Sequence, residues 1–183
     1  MAQVLVGQLW EFTIRLRERR RRLRRIAISW CQDPALADDL VQETLSKAFR
    51  KLNQLRSTRA MDAWLFDILR NCWRDHLRRH RNTIDIDDPE VLEELSVDGD
   101  LERSELIARV RRAIATLPVS QREALSLVDI EGFSYDEVAE ILDIPRGTVT
   151  SRICRARETL RQALFDIGGD SIEPQVVALR RIK

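Results

Sequence analysis

SYDEVAEILDIPRGTVTSRICRARETLRQAL, residues 134–164, divides into two helices and the break between them. Ser134 and Glu137 have the S-x-x-E spacing of a capping box, in which each residue satisfies a backbone N–H left open at a helix start. Val138, Ile141 and Leu142 then form one apolar stripe. Asp143-Ile144-Pro145 ends that helix, because proline lacks an N–H and disfavours helical geometry in the residue before it. A second helix runs from about Arg146, with Val149, Ile153, Ala156, Leu160 and Leu164 repeating at helical spacing. Its other face carries Thr150, Ser151, Cys154, Arg155 and Arg157. An apolar anchor opposite a face of small hydroxyls and arginines suits a helix-turn-helix that enters a major groove, where arginine pairs with guanine edges or phosphates. A solvated face on an ordinary core stripe would use some of the same residues, so order and spacing carry this reading rather than any single element.

Working outward, the rest of the 183 residues is rich in Leu, Ala, Arg and Glu and holds only 6 Gly and 5 Pro, which predicts an all-α fold. No apolar run approaches the roughly 18 residues needed to span a membrane. MAQVLVGQLWEF lacks the pattern of a secretion signal, so the expected location is the cytoplasm and no membrane insertion is expected. Cys31, Cys72 and Cys154 are odd in number and far apart, without disulfide-framework or zinc-site spacing. Cys72 and His76 are four apart but lack partner ligands, so no metal and no cofactor are expected.

The net charge of +1 hides a partition. Residues 1–81 hold 18 Lys/Arg against 9 Asp/Glu, residues 82–101 hold 8 acids and no base, and residues 102–183 hold 13 of each. The pattern predicts a basic module at 1–81, a flexible acidic linker at 82–101, a second module at 102–167 and a tail at 168–183. A basic module attracts phosphate whatever the whole-chain average.

Met1 to Trp30 reads as a helix with eight arginines between Arg15 and Arg25 and an apolar side of Leu16, Leu23, Ile26, Ala27 and Trp30. Its charge run fits either a solvated face or a nucleic-acid surface. Asp33-Pro34 caps a second helix to about Leu55, with Leu36, Leu40, Val41, Leu45, Ala48, Phe49 and Leu52 expected inward. A third helix, about Ala60 to Arg81, interleaves Trp64, Phe66 and Trp73 with Arg70, Arg74, Arg78 and Arg79. Such aromatics either stack exposed bases or pack in a core, and Trp64 is the one expected to be buried. Past the linker, one helix runs from Leu101 to about Thr116. Another follows Leu117-Pro118, with Ser120 and Glu123 read as a second capping box and an end at Gly132. Its Ala124, Leu125, Leu127 and Val128 are expected to pack against the helix-turn-helix. No glycine-rich phosphate loop, H-E-x-x-H or G-x-S-x-G is present, which argues against an enzyme.

Two segments together resemble a known family. ALADDLVQETLSKAFRKL followed by AWLFDILRNCWRDHLRR is similar to the second region of bacterial sigma factors. LPVSQREALSLVDIEGFSYDEVAEILDIPRGTVTSRICRARETLRQAL, with its G-T-V-x-S-R-x-x-R-A-R core, is similar to their fourth. Two regions and a short connector resemble the extracytoplasmic-function (ECF) group, and the likeness covers roughly residues 20–165. DDLVQET and AWLFDILRN further resemble the general-stress ECF subgroup of alphaproteobacteria, which a partner-switching mechanism releases. The N-terminal helix departs from the family pattern in its arginine content, and Cys154 stands where a larger side chain is common.

The resemblance implies a dissociable RNA polymerase subunit that directs promoter-specific initiation and melting under an anti-sigma factor. It implies that Asp38, Asp39, Gln42, Glu43, Lys47 and Arg50 meet the clamp helices of the largest polymerase subunit. Trp64, Phe66, Arg70, Asn71, Arg74 and Arg78 would hold the melted non-template strand of the −10 element, with the loop Leu55–Met61 pocketing a flipped base. Thr150, Ser151, Cys154 and Arg155 would face base edges of the −35 duplex, while Arg146, Thr148, Arg152 and Arg157 would take phosphates. The acidic linker would thread a positively charged polymerase channel. A free-standing helix-turn-helix regulator would explain residues 134–164 but not the basic–aromatic helix or the acidic linker. A nucleic-acid enzyme would need converging acidic or nucleophilic groups, and none is visible.

Overall fold

The helix-rich composition resolves into helices across the described residues. The computed structural model describes residues 2–52, 55, 60–80 and 101–165, and among them are seven α-helices, one π-helical turn and no strand. The helices are α1 (Ala2–Cys31), α2 (Pro34–Arg50), α3 (Met61–His80), α4 (Leu101–Ala115), α5 (Val119–Leu125), α6 (Tyr135–Leu142) and α7 (Arg146–Phe165), and the π turn is Ser126–Ile130. The expected linker (all but Leu101), the tail and loop residues 53, 54 and 56–59 lie outside the described residues.

Local chemistry sets the corners. Gln32 ends α1 in the left-handed region, at φ 60°, and its amide side chain donates to the Ser29 carbonyl at 2.6 Å. Asp33 then accepts from the Ala35 and Leu36 N–H groups at 2.8 and 3.2 Å, with Pro34 where its missing donor costs nothing. The Ser134–Glu137 capping box forms in both directions, at 2.8 and 3.3 Å. Asp143 closes α6 at φ 49°, and the Pro145 carbonyl accepts the first N–H groups of α7, from Thr148 and Val149.

The second capping box does not form. Helix α5 begins two residues earlier than Ser120 requires, capped by the Pro118 carbonyl, which accepts from Gln121 and Arg122 at 2.9 and 3.0 Å. Ser120 therefore sits inside the helix, and Glu123 is turned into the interior, 2% exposed. The π turn continues α5, and Gly132, at φ +82°, reverses the chain toward Ser134.

Helices α1, α2 and α3 pack on one another, and α4, α5 and α6 pack on α7. One buried cluster runs across both groups, from Leu23, Ile26, Trp30, Leu40, Val41, Leu65, Phe66 and Leu69 to Leu127, Val138, Ile141, Leu142, Val149 and Ile153. A smaller cluster joins Ala113, Ile114, Leu117, Leu125, Ala156 and Leu160. Phe49, expected inward, is 49% exposed. Ala48 faces the core as expected, Thr44 joins it, and the Thr44 hydroxyl is satisfied by the Leu40 carbonyl at 2.7 Å. Trp64 is only partly buried, whereas Phe66 and Trp73 are the buried aromatics of α3. A residue two positions along a helix turns by about 200°, so this exchange reverses the expected face.

Candidate nucleic-acid interface

On α7 the buried stripe of Val149, Ile153, Ala156 and Leu160 fixes which face looks out. Thr150, Cys154 and Arg155 are exposed on it, with Ser151 half-buried beside them. Local hydrogen bonds hold the hydroxyls, from Thr150 to the Arg146 carbonyl (3.1 Å) and from Ser151 to the Thr148 carbonyl (3.0 Å). That leaves their oxygen lone pairs as outward acceptors. Among the described residues no acid pairs with Arg155. Arg146 pairs with Asp136 at 3.1 Å across the exposed turn. Arg157 is committed inward, its Nη2 donating to Asp129 Oδ1 at 2.7 Å and its Nε to Oδ2 at 3.3 Å. Arg152 is half-buried, and its Nη1 finds no hydrogen-bond partner among the described residues.

On α3 the expected strand-holding residues separate into two groups. Asn71 and Arg78 are exposed, Asn71 bonded to Asp67 at 3.3 Å and Arg78 ion-paired with Asp75. Phe66, Arg70 and Arg74 lie four apart on a stripe that the C-terminal helices cover. The Phe66 ring meets Phe133 edge-on at 5.2 Å, Arg70 is 7% exposed and donates to the Ile141 carbonyl at 2.6 Å, and Arg74 reaches Glu123 at 3.8 Å. Burial pushes the Glu123 carboxyl above its usual range, against the pull of Arg74, Arg152, Arg70 and Arg122. Burial likewise lowers the pKa of Arg70, and the neighbouring Arg74 adds to the shift. Trp64 stands half-buried apart from this stripe.

The α2 surface carries Asp39 and Gln42 exposed, with Glu43 bonded to Lys47 at 2.8 Å and Lys47 also 3.5 Å from Asp75. Asp38 accepts both nitrogens of an Arg24 fork at 2.8 and 3.1 Å, and this hydrogen bonding holds its carboxyl below the usual range. Arg50 is exposed at the helix end. The Cys72 thiol lies 3.7 Å from the Thr44 hydroxyl, while His76 stacks on Trp73 at 5.8 Å. Among the described residues no group of three potential ligands could hold a metal ion, and no helix is long and apolar enough to cross a membrane.

Sequence reasoning missed the residues that tie the two helix groups together. Arg22 and Arg25 of α1 both hold Glu131, at 2.7 and 2.6 Å. Arg122 donates to the carbonyls of Trp30, Ala115 and Leu117 at 2.8, 2.8 and 2.9 Å, satisfying acceptors at the ends of α1 and α4. The i,i+3 spacing of Arg22 and Arg25 was the available signal, hidden inside a longer run of arginines.

Residues 16–83 match the family Sigma-70 region 2, and residues 107–160 match Sigma-70, region 4. The ECF RNA polymerase sigma factor EcfG of Rhodopseudomonas palustris is 39% identical over 153 residues, 83% of this chain and 84% of that protein. Among solved structures, the sigma factor RpoE bound to the anti-sigma factor NepR, from Bartonella quintana, superposes with a TM-score of 0.70 at 33% identity, over 84% of this chain and 96% of that one. CnrH in complex with the cytosolic domain of CnrY gives 0.64 at 30% identity, over 92% of this chain and 96% of that one. With both regions matched in order and a relative aligned over most of its own length, this chain belongs to the ECF RNA polymerase sigma factors.

Proposed function

We propose that this sigma factor grips a promoter at two points while α2 holds core RNA polymerase. Helix α7 enters the major groove of the −35 element, with Thr150, Ser151, Cys154 and Arg155 toward base edges and Arg146, Thr148 and Arg152 toward phosphates. Phosphate contacts fix register and base contacts supply sequence. Arg157 acts through the fold, by holding Asp129. Helix α3 takes the melted −10 strand, with Asn71, Arg78 and the part-exposed Arg74 reachable at once and Phe66 and Arg70 once the C-terminal helices move aside. Base stacking on aromatics and cationic walls offsets the unstacking cost of an opened strand. Asp38, Asp39, Gln42, Glu43, Lys47 and Arg50 form the mixed-charge face for the polymerase clamp helices. The modules divide at 1–81 and 102–167. The chain performs no catalytic step of its own and works in the cytoplasm, where polymerase and promoter meet.

The observation that carries this reading is the α7 face, where Thr150, Cys154 and Arg155 stand exposed opposite a fully buried stripe. An anti-sigma factor is the proposed partner of the resting state, supported by the RpoE relative solved with NepR. Run-off transcription with purified core polymerase tests the function. Promoter-specific transcripts that need the added chain are expected. If no template yields them, and the chain alone binds a duplex operator tightly, a free-standing helix-turn-helix regulator replaces the sigma reading.

A further inference from the structure

The eight arginines of α1 are not one solvated face. Arg19 and Arg22 hold Asp62 of α3, Arg24 holds Asp38 of α2, and Arg22 and Arg25 together hold Glu131 at the end of the π turn. The Glu131 side chain is 1% exposed. Beside it the Ser29 and Ser126 hydroxyl oxygens lie 2.5 Å apart, buried, and Arg122 Nη1 donates to the Trp30 carbonyl. The π turn thus faces both ways: Asp129 grips Arg157 within the C-terminal helices, while Ser126 and Glu131 grip α1 across the junction. An extra residue in a helical turn shifts the side chains after it around the axis, and π turns recur at functional positions for that reason.

This junction covers the α3 stripe read above as strand-holding. Phe66 is closed by Phe133, Arg70 by the Ile141 carbonyl and Arg74 by Glu123. A nucleic-acid strand cannot reach Phe66 or Arg70 while the contacts hold, and Arg74, its side chain 40% exposed, is engaged by Glu123. The charge pairs that hold the junction keep their cationic partners open to solvent, with the Arg22 and Arg25 side chains 35% and 42% exposed, which suits a contact that closes and opens.

We propose that the π turn is a latch: Glu131, held by Arg22 and Arg25, shuts the C-terminal module over the strand-opening stripe of α3, so that the free chain masks its own melting surface. Release requires exchange of carboxylate partners for those that polymerase and promoter offer. This rests on the sigma reading and adds its regulation.

The experiment fixes the latch shut. Ser29→Cys with Ser126→Cys places two sulfurs where the oxygens already approach 2.5 Å, near the roughly 2.0 Å of a disulfide bond. The bond forms when both thiols lose their protons and two electrons to an added oxidant such as diamide, and dithiothreitol reverses it. Peptide mapping should find the 29–126 link in the free full-length chain. Run-off transcription with core polymerase should fall about tenfold or more on oxidation, as the open fraction falls, and recover on reduction. Failure to form the link in the free chain overturns the closed state, and undiminished transcription by the linked chain overturns the masking. Wild-type transcription in the same assay judges the sigma reading separately. A second variant, Glu131→Gln, keeps shape and removes charge. It should bind a single-stranded −10 oligonucleotide, without polymerase, several-fold more tightly than wild type, and equal affinity removes Glu131 from the latch.

Discussion

Arg157→Ala separates fold from DNA contact. The sequence places Arg157 among phosphate contacts, whereas its guanidinium makes two charge-assisted bonds to Asp129, at 2.7 and 3.3 Å. Hydrogen bonds to charged groups contribute roughly 1.5–3 kcal/mol. The Arg157 side chain is 39% exposed, so solvent screening brings the pair toward about 1 kcal/mol. Truncation also strands the Asp129 carboxylate, 14% exposed, which adds to the loss and gives a total of about 1–2 kcal/mol. For a chain of this size that lowers Tm by about 2–8 °C. Thermal unfolding followed by circular dichroism, on wild type, Arg157→Ala, Asp129→Ala and the double variant, should return a coupling energy of about 1 kcal/mol. Duplex binding should weaken only in step with the lost fold. The reasoning is refuted if Arg157→Ala melts with wild type, shows no coupling to Asp129, and weakens every duplex alike while the salt slope falls by about one, as for a lost phosphate contact.

Arg155→Ala should behave oppositely, leaving Tm unchanged and costing about 1–3 kcal/mol at one upstream base pair; uniform weakening on all promoters would assign it to phosphate. Asn71→Ala should slow strand opening, followed by permanganate reactivity, more than it affects closed-complex binding, and wild-type opening kinetics would remove it from the −10 surface. Asp39→Lys with Glu43→Lys should lower affinity for core polymerase in a pull-down titration, and intact affinity would take both out of that interface. Asp62 predicts an acid response. Burial alone raises its pKa, but hydrogen bonds from Arg19 and Arg22 outweigh that and hold it low. A depressed folded pKa contributes stability above the unfolded value of about 3.9, which is lost as pH falls through the folded value. Asp62→Asn should therefore be less stable than wild type near neutrality and converge with it below about pH 4 in urea unfolding, and a constant gap would contradict the pairing.

What the sequence made legible was local. The Ser134–Glu137 box, the Asp33-Pro34 cap and the α7 stripe each depend on residues a few positions apart, where spacing encodes backbone geometry directly. The same rule misled at Ser120 and Glu123. The spacing was right, but Pro118 starts the helix earlier, which freed Glu123 to turn inward. Trp64 and Phe66 exchanged burial because the α3 face is chosen by what packs on it. That partner, Phe133, lies far along the chain. Likewise Arg22 meets Glu131 across 109 positions and Ser29 meets Ser126 across 97. Periodicity shows that a helix has a charged side but not which distant carboxylate will take each arginine. Of the expected site, the α7 face could be read from its own helix, while the closure of the α3 stripe could not.

Closure and promoter engagement draw on the same cations, which bears on how each responds to salt. Arg70 and Arg74 meet a carbonyl and a carboxylate in the closed chain and would meet phosphates when open. Opening is therefore largely an exchange of one acceptor for another, and small changes in either partner shift the balance. If about 1% of free chains were open, apparent affinity for a melted strand would fall about a hundredfold below the intrinsic value. The two sides differ in burial. The Glu131 carboxylate is 1% exposed and its arginine partners 35% and 42%, so its pairing is only partly screened, whereas phosphate contacts release counterions and weaken steeply with salt. Rising ionic strength should consequently cost the engaged state more than the closed one, and a free chain should be most thoroughly masked under the conditions where its promoter contacts are weakest.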